Sequence, residues 1–128
     1  MNHTKEFVAY EGPKFTIEWY HDEDANSQAL NFFNASNDND QDKLMYLFKR
    51  MGDFGKISDK TKFRNEGDGI YAFKPKDKRF LCFFMVGKKI IITNALPKNY
   101  DKLPKSEKTK ALSIKSDYLK RTEEGTYY

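Results

Sequence analysis

Lys74, Lys76, Lys78 and Arg79 crowd around one short segment, Pro75-Lys-Asp-Lys78, between two apolar stretches. If a hairpin loop holds those four residues, Lys74 and Arg79 stand directly opposite one another on paired strands. Like charges in that relation repel and destabilise a sheet. The pair makes sense if both address a phosphate, with the arginine offering a two-pronged donor. Lys76 and Lys78 sit in the loop itself, and Lys98, Tyr100 and Lys102 follow the next apolar run. In a meander, the end of one strand returns to the start of its neighbour. One groove then collects Lys74, Arg79, Lys98 and Tyr100.

Such a set suits cleavage of RNA without a metal. The ribose 2′-OH attacks the adjacent phosphorus, and a 2′,3′-cyclic phosphate is left. The reaction needs a base, charge on the phosphate oxygens, and an acid for the leaving 5′-oxygen. Crowded cations lower a lysine pKa, which makes lysine eligible as the base. The plainer reading of each residue is a solvated cation at a strand end.

The wider composition bounds the choice. The 128 residues suffice for one domain with a real core, to which eleven Phe, eight Tyr and one Trp contribute. Net charge is +4, unevenly spread: residues 1–53 carry −5 and residues 54–128 carry +9. That asymmetry fits a polyanion partner for the second half, or simply a lysine-rich surface. Cys82 is the sole cysteine, in an apolar stretch, so a disulfide within the chain is excluded and a buried inert thiol is expected. No metal-ligand cluster, phosphate-binding loop, dinucleotide fingerprint or serine triad is present, and no cofactor is expected. The lack of a long apolar run or signal-peptide core points to a soluble cytoplasmic protein with no membrane partner.

Periodicity places these residues on elements. Phe15, Ile17 and Trp19 alternate along a first strand over 14–20. Asp22 or Asp24 is expected to cap a helix carrying Ala25, Ala29, Leu30, Phe32 and Phe33. A second helix starts at Asp40, carries Leu44, Leu47, Phe48 and Met51, and stops at Gly52. Residues 53–68 read as a polar loop with at most a short helical turn. Strands follow at 70–75, 79–86 and 89–96, the last two joined through Gly87, and Pro104 opens a final helix. The expected fold is α+β, in the order β-α-α-β-β-β-α. An antiparallel sheet of about four strands carries the two N-terminal helices on one face, followed by a C-terminal helix. His3 falls in a frayed terminus, and His21 helps start the first helix. Tyr71, Phe73, Phe80, Phe83 and Phe84 offer either base stacking or core.

The segments Gly69–Lys74, Lys78–Phe84 and Lys88–Lys98, and the basic helix after Pro104, resemble the RelE/ParE superfamily of toxins, nearest its HigB-like, phage-derived branch. Asp117–Tyr128 is similar to the branch's C-terminus as well. The resemblance covers about residues 66–128 and implies a single RelE-like domain over 1–128. It also implies a toxin of a type II toxin–antitoxin system that cuts mRNA on the ribosome without a metal. Its implied partners are the ribosome, mRNA and a co-encoded helix-turn-helix antitoxin. Lys74 matches the basic residue ending the second strand, Arg79 the arginine opening the third, and Lys98 the first lysine after the fourth. The implied roles are 2′-OH activation by Lys74, phosphate stabilisation by Arg79 and phosphate binding by Lys98. Tyr100 is a candidate for stacking or proton transfer, and Lys76, Lys78 and Lys102 for RNA binding. The family's histidine falls on Asn94, its next glycine on Ala95 and its second lysine on Asn99. That departure keeps two other readings open: a ParE-like inhibitor of DNA gyrase, and a non-catalytic phage nucleic-acid-binding protein.

Overall fold

The computed structural model describes residues 3–98 and 102–128, with side chains from residue 5 onward. A short 3-10 turn (His3–Phe7) leads into β1 (Val8–Glu11) and β2 (Thr16–Trp19). Helices α1 (Gln28–Ala35) and α2 (Asp38–Phe54) follow. Strands β3 (Phe63–Gly67), β4 (Ile70–Phe73), β5 (Lys78–Met85) and β6 (Lys89–Pro97) precede α3 (Lys105–Glu123). The strands form one sheet in the order β1-β2-β6-β5-β4-β3. Only β2 and β6 run parallel; the other pairs are antiparallel. The α+β class and the expected order hold, with two strands added at the edges. The parallel pair makes the sheet mixed rather than antiparallel throughout.

The sheet is covered on both faces. Phe48 and Met51 of α2 and Ala29 of α1 pack on one side with Ile17, Trp19, Phe73, Phe80 and Ile92. Ala111 and Tyr118 of α3 pack on the other with Ala72, Leu81, Phe83 and Ile91. This double burial explains the unbroken apolar runs of β5 and β6, because both parities of side chain leave water. Phe73, Phe80 and Phe83 are therefore core, and Cys82 is fully buried with its thiol pKa pushed up by that burial.

Helix ends differ from expectation by a few residues. Ser27, not Asp22 or Asp24, caps α1 through its hydroxyl on the Leu30 N–H, and Asn37 caps α2 through Asp40 N–H. Gly52 does not stop α2. The helix runs to Gly55, whose φ of +76° suits glycine and whose N–H closes on Met51 O. Gly52 serves instead as a contact: its carbonyl accepts from Lys14 N–H and Phe15 N–H, and a Cβ on Gly12 would fall 2.2 Å from Gly52 backbone. Strand β1 was not expected, because its half-buried residues show no alternation. Strand β3 replaces the expected loop; its Phe-Arg-Asn-Glu-Gly sequence is polar because it is a free edge.

The C-terminus closes over the first strands. Tyr127 stacks on His21 at 4.3 Å, and Tyr128 donates to Glu18 at 2.8 Å. Arg121 donates to His21 O at 2.9 Å and pairs with Asp117 at 3.0 Å. His21 is thus a buried ring between Phe7 and Tyr127, away from the cationic hairpin. Among the described residues, no helix is long and apolar enough to cross a membrane.

Candidate functional site

Four neighbouring strand ends build the site. The β4–β5 register pairs Phe73 with Phe80, and one step further sets Lys74 opposite Arg79. Across β5, Arg79 pairs with Leu96 and Lys78 with Pro97, which brings Lys98 to the same end. Lys98 N–H donates to Asp77 O at 2.6 Å, and Lys74 N–H donates to Lys62 O at 2.8 Å. The turn closes by Lys78 N–H to Pro75 O at 3.2 Å, with Lys76 held at φ +55°.

Alternation then sorts the cations by face. Arg79 shares the α3 face with Leu81 and Phe83, and Arg64 lies opposite Ala72 of that same face. Lys74 is 5% exposed and Arg79 1%. Among the described residues, Lys74 makes no ion pair with a carboxylate. Burial, and then the charges of Lys98, Arg79 and Arg64, hold its ammonium pKa below the usual lysine value; Glu66 opposes them.

Lys74 and Lys98 open into a cleft of about 610 Å³ along β3. Arg64, Asn65, Tyr71, Lys60 and Thr61 line it with them. Arg79, 1% exposed, does not line the cleft, but its charge is felt at Lys74. The structure thus brings together the three expected central residues and adds Arg64 and Lys60, which sequence reasoning missed. The signal was present: Gly67-Asp-Gly69 is a hairpin link, with all three residues at positive φ. Reading it as such would have set Arg64 against Ala72.

The remaining expected residues separate. Lys78 turns to the other face, where its Nζ meets Asp40 Oδ2 at 2.6 Å; it joins the hairpin to α2 rather than lining the cleft. Lys76 lines a different depression beside Asp42 and Tyr46. Lys102 is exposed and outside the cleft. Tyr100 and Asn99 lie outside the described residues.

Asn94 is 2% exposed. A bulge sets Thr93 and Asn94 together against Leu81 of β5. Asn94 donates to Glu107 O at 3.2 Å and Glu107 Oε1 at 3.1 Å, and accepts from Thr93 Oγ1 at 2.7 Å. It fastens the first turn of α3 to the sheet. Beyond the bulge, β2 has left the sheet, and the Gln28 side chain takes its place by bonding both Ala95 N–H and Ala95 O.

The model of the phage-derived Gp49-like proteins (DUF891) matches residues 31–116, from α1 into α3 and across the whole cleft. The chain belongs to the Gp49-like family. That family sits among the RelE-type, toxin-like proteins. No curated protein matches the chain. The Gp49-like match takes in every strand end that carries a cation of the cleft, whereas β1, β2 and the C-terminal clasp lie outside it.

Proposed function

We propose that this Gp49-like protein is the toxin of a type II toxin–antitoxin pair, of the HigB-like kind, and that it cuts mRNA on the ribosome. The observation that carries the reading is Lys74, a buried lysine with a lowered pKa at the wall of an open cationic cleft. Burying a cation beside other cations is costly, and such perturbed groups cluster at functional sites.

In this reading the cleft receives the phosphate at the cut bond. The Lys74 amine takes the proton of the 2′-OH. The 2′-oxygen–phosphorus bond forms as the phosphorus–5′-oxygen bond breaks. The leaving 5′-oxygen takes a proton from the Lys98 ammonium. Arg64 and Lys98 neutralise phosphate oxygens from the rim, and Arg79 supplies fixed positive charge. Tyr71, half-buried in the wall, offers a ring for a flanking base. No step calls for a metal. A helix-turn-helix antitoxin encoded beside the toxin would hold it in check.

Expression in growing cells tests this. Transcripts should be cut only where they are translated, and growth should stop. Lys74→Ala, with an unchanged circular-dichroism spectrum, should abolish both. Broken DNA with intact mRNA would instead support gyrase inhibition. RNA binding without cutting would support a non-catalytic module.

A further inference from the structure

The cleft does not end at β3. Ile57 and Ser58 form its rim and also the rim of a second depression, of about 710 Å³, along the outer side of α2. That depression runs on through Tyr46, Leu47 and Lys62 into a third, near Pro75. Two rings stand out on this track. Tyr46 is 59% exposed and Phe54 66% exposed. They lie eight residues apart on one helix, about 12 Å along its axis, with Arg50 between them and over the Phe54 ring at 5.7 Å.

Charge decides what such a surface fits. Lys43, Arg50, Lys56, Lys62 and Lys76 border the two outer depressions, against Asp42 and Asp59. Asp59 is already engaged by Thr61 through N–H and hydroxyl bonds. Lysine is depleted at protein–protein contacts, yet four of these five cations are lysines. Exposed rings spaced along a cationic groove are the arrangement by which proteins hold single strands without reading sequence.

We propose that this track binds the single-stranded RNA flanking the cut site, with bases stacked on Phe54 and Tyr46 and phosphates along the lysines. The proposal rests on the RNA-cleaving reading of the cleft and extends it to a second, non-catalytic binding site. It predicts that affinity depends on RNA length, because a short RNA fills the cleft alone.

The test uses the full chain with Lys74→Ala to prevent cutting, and fluorescein-labelled RNAs of four and twelve nucleotides at low salt. The twelve-mer should bind more tightly than the four-mer. Adding Tyr46→Ala and Phe54→Ala should weaken the twelve-mer by about tenfold or more per lost stack and leave the four-mer unchanged. Phe54→Tyr should restore binding, and Arg50→Glu should weaken the twelve-mer with both rings intact. Both rings are exposed, so the variants should keep the wild-type melting temperature. Equal binding of the twelve-mer with and without the rings overturns the proposal. So does a variant that binds RNA normally but loses a co-expressed protein partner, which would make this face a protein dock. Transcripts cut in cells, together with a ring-independent twelve-mer, would sink the track and leave the cleft standing. Absence of both cutting and binding would sink the two together.

Discussion

On the α2 side of the β4–β5 hairpin, Lys78 meets Asp40 at 2.6 Å. On the α3 side, one residue further along the same strand, Arg79 shares its corner with Lys74, Lys98 and Arg64. Both sides carry cations, but Lys78 and Lys74 are handled in opposite ways. The first supplies a carboxylate from the opening turn of α2, where the helix dipole also favours an anion. On the second, Lys74 is buried beside other cations and makes no ion pair with a carboxylate among the described residues. A paired lysine is what stability alone would select. A buried lysine without a carboxylate, open to a cleft, is better matched to an anion that arrives from outside. Within one hairpin, the Asp40 pair marks the structural side and Lys74 marks the candidate site.

The largest effects should separate the two sides outright. Lys74→Ala should lower mRNA cleavage by about a hundredfold or more, the usual scale for losing a group that meets developing charge. Arg79→Lys keeps the buried charge but not the fork, and should cost less than Lys74→Ala. Lys78→Ala should leave cleavage within a few-fold of wild type while lowering the melting temperature. Cleavage rates and melting curves on the same three proteins check this. A Lys78 variant as inactive as the Lys74 variant would erase the distinction.

The next effect is on acid stability. Lys78 holds the Asp40 carboxyl below its ordinary 3.8. The stability this pair supplies is therefore fully present above that value and fades as pH falls through the folded-state pKa. Asp40→Asn should melt at a lower temperature than wild type at neutral pH, and the gap should close in strong acid. A gap that persisted at low pH would show that Asp40 acts through packing rather than charge.

How far this contrast could be read in advance depends on which strands announce themselves. The register that opposes Lys74 to Arg79 followed from four loop residues and two apolar runs. The return of Lys98 to the same end followed from the meander. Lys78 lies outside the expected loop because the turn is tighter than four free residues: it already belongs to β5, so alternation turns it toward α2. Arg64 is hidden in the sequence because β3 is a polar edge strand, with exposed residues on both faces and no apolar period to detect. Asn94 could not be placed on a face from strand order alone; the bulge beside it turns its side chain to Glu107. What sequence conveyed poorly was face. A one-residue shift at a bulge or turn reverses it.

Lys74 also predicts a trade between activity and stability. Its pKa is lowered from 10.5, first by burial and then by the cations beside it, so its charge is costly in the folded state. As pH rises from the folded-state value toward 10.5, the unfolded chain holds the proton more tightly, and stability should increase. Lys74→Met keeps most of the side-chain volume and removes the charge. It should be more stable than wild type at neutral pH, by an amount on the order of 1 kcal/mol, and should lose the alkaline rise. Urea melts at pH 7 and pH 10 read both. A less stable Lys74→Met at pH 7 would mean that the ammonium is satisfied in the folded state, which would remove the main reason for treating this corner as a site.

The smallest effect is the most selective. Each phosphate contact to a single strand contributes about 0.7 to the slope of log affinity against log salt. Arg64 lies on the rim of the cleft and is exposed, so Arg64→Ala should cost the fold little. In the Lys74→Ala background, it should flatten that slope by about 0.7. Lys78→Ala in the same background should leave the slope unchanged, because its ammonium is already spoken for by Asp40. Overall affinity cannot make this distinction, since a destabilised variant also binds less. The slope counts charges that meet phosphate and ignores those that hold the fold. An equal change for Arg64 and Lys78 would mean that RNA meets both sides of the hairpin, and that pairing with a carboxylate does not keep a cation out of the interface.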